Sequence, residues 1–251
     1  MPPFLRVRAV NTAPDSENRI HEDGVAAEYG FRAGLVPGVT IYGYMASAVI
    51  DRLGFEWLRS GAADVRFFEP FYEGEEVAVS ITDLPEGRIK VEAGSRSSAT
   101  AWIDKAIDNA ELSADYPDEY PVIKQIASRE TIEAGKILGT LGKTLDLSQP
   151  GLSAPFDAFM GSERFAHPAV ILGLANELLM HNYSLGPWIH SASEVRNAKP
   201  ARDGEHLRVR GKIVDAYERK RHEFVVLDVA VLSGEVLISR IRHTAIWKPR
   251  K

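Results

Sequence analysis

Cysteine is absent from the 251 residues, which removes disulfides, thiolate metal sites and a cysteine nucleophile together. No apolar run approaches the roughly 20 residues needed to cross a bilayer. The opening residues, Met-Pro-Pro-Phe-Leu-Arg-Val-Arg, lack a basic stretch followed by an apolar one, so no signal peptide is expected. Excess positive charge is missing too. A net charge of −5 argues against a general nucleic-acid or membrane-surface role, although thirty Lys and Arg can still build a local anion pocket. Neither a Gly-x-Gly-x-x-Gly nor a Gly-x-x-x-x-Gly-Lys-Ser/Thr loop occurs, so no nucleotide or other cofactor is expected. A cytoplasmic chain is the default expectation.

What is present is a core and a repetition. With 45% hydrophobic residues the chain can bury one large domain or two of about 120 residues. Fourteen prolines and twenty glycines are ordinary, so little disorder is expected. Residues 64–79 read DVRFFEPFYEGEEVAV and residues 194–209 read EVRNAKPARDGEHLRV. Val65, Arg66, Pro70, Gly74, Glu75 and Val79 recur in the second stretch at one constant spacing. Pro37 and Trp57 likewise align with Pro168 and Trp188. Matches that keep their order point to a duplicated unit.

Each copy has one plan. Val39–Leu53 is apolar around most of its circumference, with Gly43, Ala46 and Ala48 allowing close approach, and reads as a buried helix. Its counterpart is Val170–Met180. Alternating β-type segments follow each helix: Ala63–Phe68, Glu76–Thr82, Arg88–Ala93 and Ser98–Ile103, then Ser191–Asn197, His206–Asp215, Glu223–Leu232 and Val236–Trp247. A long central helix with a run of antiparallel strands predicts an α+β chain, a tandem (double) hotdog. The expected division is a first hotdog over 1–125, a linker over 126–150 and a second hotdog over 151–251. Within the joining region, Ser128–Leu138 carries a helix-entry signature. The first turn of the second copy is expected near Leu152.

The chemistry concentrates in the first copy. His21 is its only histidine, in a polar loop with Asn18 three residues before it. Asp23 reads as the N-cap of a short Gly24–Tyr29 helix. His21 titrates in the range needed to take and return a proton near neutral pH. The Leu35-Val36-Pro37-Gly38-Val39 loop enters the buried helix, whose first amides are unpaired and suited to a developing enolate on a thioester carbonyl.

Asn18, Ile20-His21, Ala26, Gly30-Phe31 and Gly38 follow the order of the hydratase motif and resemble the MaoC-like, (R)-specific enoyl-CoA hydratases. That family's pattern is Asp-x-Asn-Pro-x-His, a helix of small residues, Gly-Phe, and a Gly at the central-helix entrance. The resemblance is strongest over residues 16–39, and the repeat extends it to most of the chain. It implies reversible syn addition of water to a trans-2-enoyl thioester by an Asp/His pair. His21, Asn18 and Glu17 are then the candidate catalytic residues. Ser16, Phe31, Pro37, Gly38 and Val39 are the candidate substrate-binding ones. The departures are specific: Ser16 stands where the family has its aspartate, Arg19 where it often has proline, and Pro37 where it often has histidine. Loss of one member of an acid–base pair costs about 10²–10⁴ in rate, and Glu17 is the neighbour able to replace it if the loop is rotated.

The second copy reads AFMGSERFAHPAV before its helix, without Asn-x-x-His. His167 is expected to be structural, and the remaining histidines show no metal-ligand spacing. The reading is a hydratase or dehydratase of acyl-CoA-type or carrier-bound thioesters. The alternatives are a hotdog acyl-thioester hydrolase and a non-catalytic acyl-thioester binding protein. Pairing into a homodimer or higher oligomer is common in such folds.

Overall fold

Alternating sequence becomes alternating burial. In the strand Glu76–Asp83, Val77 and Val79 are completely buried while Glu76 faces water, the period-2 pattern of a sheet with one covered face. The computed structural model describes residues 4–104, 117–120, 122–148 and 165–251. Its strands are β1 (Leu5–Arg8), β2 (Gly61–Phe67), β3 (Glu76–Asp83), β4 (Ile89–Ala93), β5 (Ser97–Ile103), β6 (Gln125–Ile126), β7 (Ile137–Thr144), β8 (Tyr183–Ser184), β9 (Ile189–Asn197), β10 (His206–Arg219), β11 (His222–Ser233) and β12 (Val236–Lys248). The helices are α1 (Asp23–Glu28), α2 (Gly38–Leu53), α3 (Trp57–Ser60) and α4 (Pro168–Asn182). Among the described residues one ten-stranded antiparallel sheet runs β1-β3-β4-β5-β2-β9-β12-β11-β10-β7, and β6 pairs with β8 separately.

The duplication is visible bond by bond. Gly74 N–H donates to Ala9 C=O at 2.8 Å, and Gly204 N–H to Leu145 C=O at 2.9 Å. Val36 N–H donates to Phe71 C=O, and Ala166 N–H to Ala201 C=O. The repeated Gly-Glu of the sequence therefore marks the same tight connection twice. The two halves join at β2 and β9, where Ala63 faces Val195 and Val65 faces Ser193. Each helix packs on its own half: α2 on β1, β3, β4 and β5, and α4 on β7, β10, β11 and β12. The helices also touch each other. Gly43 permits this, because a Cβ there would lie 3.2 Å from the Cβ of Ala169.

Strand β7 occupies beside β10 the place that β1 occupies beside β3. The divide between copies that this suggests lies before Ile137, inside the stretch expected as linker. The helix expected over 128–138 does not form. Ser128 and Thr131 close a single turn, with Ile132 N–H on Ser128 C=O at 2.9 Å. Gly135, at φ +90°, ends it in a left-handed conformation, and pairing with β10 outweighs the local helix signal. The turn expected near Leu152 lies outside the described residues.

At the start of α4, His167 caps the helix: its Nδ1 accepts from Ala169 N–H at 3.0 Å. Burial pushes His167 down to about 3, and His243 on β12 down to about 3 as well. Both rings are neutral in the folded state and take up protons on unfolding, so this contribution to stability is present above pH 6.5 and lost as pH falls toward 3. Each group adds a slope on the order of 1 kcal/mol per pH unit in that window. His167→Asn keeps a capping acceptor and removes the titration. Urea unfolding from about pH 7 to about pH 5 should show a shallower loss of stability in the variant; equal slopes would contradict the assignment.

Candidate active site

The loop before α2 is pinned from several sides. Asn11 Nδ2 donates to His21 C=O at 2.9 Å, and the Thr12 and Thr40 hydroxyls share a 2.7 Å hydrogen bond. Gly34 passes directly beneath the His21 carbonyl, where a Cβ would stand 2.1 Å from that oxygen. Its N–H donates to Asp23 Oδ1 at 2.8 Å. Asp23 is therefore not the helix cap expected of it. It is the first residue of α1, Glu22 takes the cap position without a side-chain bond, and the Asp23 carboxylate closes the loop instead.

His21 ends a single 3-10 turn, Arg19–His21. Its Nδ1 lies 2.6 Å from Leu35 C=O. A carbonyl only accepts, so Nδ1 carries the proton and Nε2 is left as a lone pair. Asn18 Nδ2 approaches that lone pair at 3.4 Å. Burial holds His21 below its ordinary value, with the Leu35 bond opposing the shift. The ring is neutral at pH 7 and basic on the side that faces a cavity.

Asn18 does more than accompany His21. Its Nδ2 donates to Trp188 C=O at 2.9 Å, and its Oδ1 accepts from Trp188 N–H at 3.1 Å. One buried amide thus reads both backbone groups of a residue in the other copy, and ties the His21 turn across the seam. Its side chain also caps the turn by accepting from Ile20 N–H.

A cavity of about 240 Å³ opens here. Asn18, His21, Phe31, Pro37 and Gly38, all candidates from the sequence, share its wall. Phe67, Phe71 and Trp188 add apolar surface. Ser16, Glu17 and Val39 do not line it. Ser16 Oγ donates to Asn18 C=O at 3.1 Å and steadies the turn. The Glu17 side chain is 70% exposed and pairs with Lys124 at 2.6 Å. At the entrance to α2, Thr40 and Ile41 N–H groups bond to Pro37 C=O, which leaves the Gly38 and Val39 amides without an acceptor among the described residues. The structure matches Pro37 to His167, the two helix caps, and not to Pro168 as the sequence alignment had it. In the second copy the amide matching Val39 is therefore that of Ala169, and His167 fills it. One helix start is open and the other is closed.

Three residues that the sequence did not single out also belong to the site. His190, on β9, lines the cavity. Its Nε2 is 2.9 Å from Ser193 Oγ, which is 3.1 Å from His243 Nδ1 on β12. Residues three apart on a strand normally face opposite sides. The register shift between Thr244 and Ala245 makes Ser191 an extra residue in β9 and turns His190 and Ser193 to the same face. Burial, then the neighbouring His243, hold His190 well below its usual value, with a hydrogen bond to the Ala192 backbone opposing the shift. Among the described residues no group of three or more metal-ligating side chains is placed to hold an ion. No helix there is long and apolar enough to cross a membrane.

No family model matches the chain, and no curated protein matches it in sequence. Solved structures do. A protein described as a MaoC domain dehydratase from Chloroflexus aurantiacus superposes with a TM-score of 0.66, covering 99% of this chain and 94% of its own at 10% identity. Rv0216 of Mycobacterium tuberculosis, described as a double hotdog fold, gives 0.59 over 97% and 94% at 12% identity. The chain is a double hotdog. A protein described as an oleoyl thioesterase from Lactobacillus plantarum matches this double hotdog at 0.54, over 98% and 96%, with 11% identity. Identities this low carry the fold and leave the chemistry to the site.

Asn18→Ala removes both bonds to Trp188 and strands a buried N–H and C=O. A stability loss of at least about 2 kcal/mol should follow in urea unfolding. A loss within a few tenths would show that the clamp across the seam is dispensable.

Proposed function

We propose that the protein is a hydratase or dehydratase of acyl-CoA-type thioesters, interconverting trans-2-enoyl and 3-hydroxyacyl forms. The observation that carries this reading is the contact of His21 Nδ1 with Leu35 C=O at 2.6 Å, which leaves Nε2 as the basic nitrogen of a side chain lining an apolar cavity beside the open start of α2. The Gly38 amide receives the thioester oxygen, and His21 takes a proton from water. Asn18 orients the ring, and Phe31 and Pro37 bound the acyl group. With serine at position 16 and Glu17 turned to the surface, a second acid is not at hand. Syn addition does not require one, because the base that takes the water proton can return it to the same face of Cα. Similarity in fold to a protein described as a MaoC domain dehydratase supports the reading.

Hydrolysis is the second reading, favoured by Ser16 in place of an acid and by the likeness to a protein described as a thioesterase. A water activated by His21 would then attack the carbonyl itself. In the dehydratase or hydratase case, trans-2-enoyl-CoA esters lose their enoyl absorbance without release of free thiol. His21→Ala should lower that rate by about 10²–10⁴, while Glu17→Gln should leave it within about twofold, since that side chain is exposed. Because burial lowers the His21 pKa, the midpoint of the acid limb of the rate should lie below pH 6.5. Thiol release in place of hydration would move the assignment to a hydrolase. An acid limb with its midpoint above pH 6.5 would contradict the lowered His21 pKa.

A further inference from the structure

We propose that His190, contributed by the second copy, is a catalytic electrophile that holds the thioester oxygen together with the Gly38 amide. The inference rests on the hydratase reading and supplies what Ser16 lacks. Three observations place it. The ring is 7% exposed, and its Nδ1 has no hydrogen-bond partner. That atom lies against the open start of α2: a Cβ on Gly38 would be 3.3 Å from it. The other ring nitrogen is engaged at 2.9 Å by Ser193, which is engaged in turn by His243.

The chain of three couples the two rings, so that only one of its ends carries a proton. A serine hydroxyl that donates one bond and accepts one admits two orders. In the first, Ser193 donates to His190 Nε2 and accepts from His243 Nδ1, so His190 Nδ1 is an N–H donor and His243 Nε2 a lone pair. The second order reverses both and buries an N–H on His243, which is 0% exposed and has no acceptor for Nε2. An orphaned donor that deep costs about 1–3 kcal/mol. The first order leaves its unpaired N–H on His190 Nδ1 instead, and only that side chain lines the cavity, where a ligand oxygen can take the bond. Phe67 packs edge-on against the ring, with centroids 4.7 Å apart, so an oxygen reaching Nδ1 swings the phenyl aside.

A neutral imidazole beside a helix N-terminus is well suited to polarise a carbonyl, because it donates without a charge that water or a carboxylate would quench. The step then balances with one base. The water oxygen bonds to Cβ as its proton passes to His21 Nε2, and the C=C pair moves onto the thioester oxygen. His190 and the Gly38 amide hold that enolate. The charge returns as His21 Nε2–H delivers its proton to Cα. Closing the α4 helix start with His167 while leaving that of α2 open fits one oxyanion site built from both copies.

The test uses butanoyl-CoA labelled with 13C at the carbonyl, which contains no double bond to hydrate, beside a trans-2-butenoyl-CoA hydration assay. In the wild-type protein the bound carbonyl resonance should move downfield. His190→Asn sets an amide near the Nδ1 position and should keep most of the shift, whereas His190→Gln reaches only the Ser193 end and should lose it. Hydration should fall about 10²–10³-fold in His190→Gln with KM changed far less. His21→Ala should lose hydration and keep the shift. Equal carbonyl shifts in His190→Asn and His190→Gln, or no shift in the wild type, overturn the proposal. Hydration that depends on His21 without a carbonyl shift would remove His190 and leave the hydratase. A His190-dependent shift without hydration would support His190 and remove the hydratase.

Discussion

Leu35 presents a carbonyl oxygen 2.6 Å from His21 Nδ1, and a carbonyl cannot donate. That one-way bond makes the imidazole a base directed at the cavity rather than a donor. The bond exists because the chain folds back on itself. Leu35 N–H donates to Ile20 C=O, Gly34 slips under the His21 carbonyl, and Asp23 fastens Gly34 from the side. A larger residue at 34 would push the carbonyl away and release the ring.

The same loop needs the second copy to stand. Asn18 spends both ends of its amide on the backbone of Trp188, two residues before His190. Duplication therefore gives more than a continuous sheet. It lets one half carry the base while the other carries the strand that faces it, and lets the helix starts diverge. α2 begins with free amides behind Pro37, while α4 begins with His167 donating nothing and accepting its amide.

Much of this was legible in the sequence. The buried helices, eight of the strands and the duplication followed from periodicity and the Gly-Glu repeat, which are local signals. Asn18, His21, Phe31, Pro37 and Gly38 line one cavity. What escaped reading depends on distant contacts. Strand β7 contains Gly139 and Gly142 and looks irregular until β10 pairs with it. Glu17 sits one residue from Asn18, yet the turn sends it to Lys124 at the surface. His190, Ser193 and His243 share a face only because of the bulge in β9, and no spacing rule reveals a bulge set by a partner strand.

The central claim is that His21 is a neutral base with Nε2 unprotonated. Nitrogen-15 NMR of the histidine rings at pH 7, with His21→Gln to assign the signal, reads this directly. The account predicts a His21 ring whose Nδ1 is protonated and whose Nε2 resonates as an unprotonated nitrogen at pH 7, with a titration midpoint below 6.5. A charged ring at pH 7, or a proton on Nε2 in place of Nδ1, would contradict it.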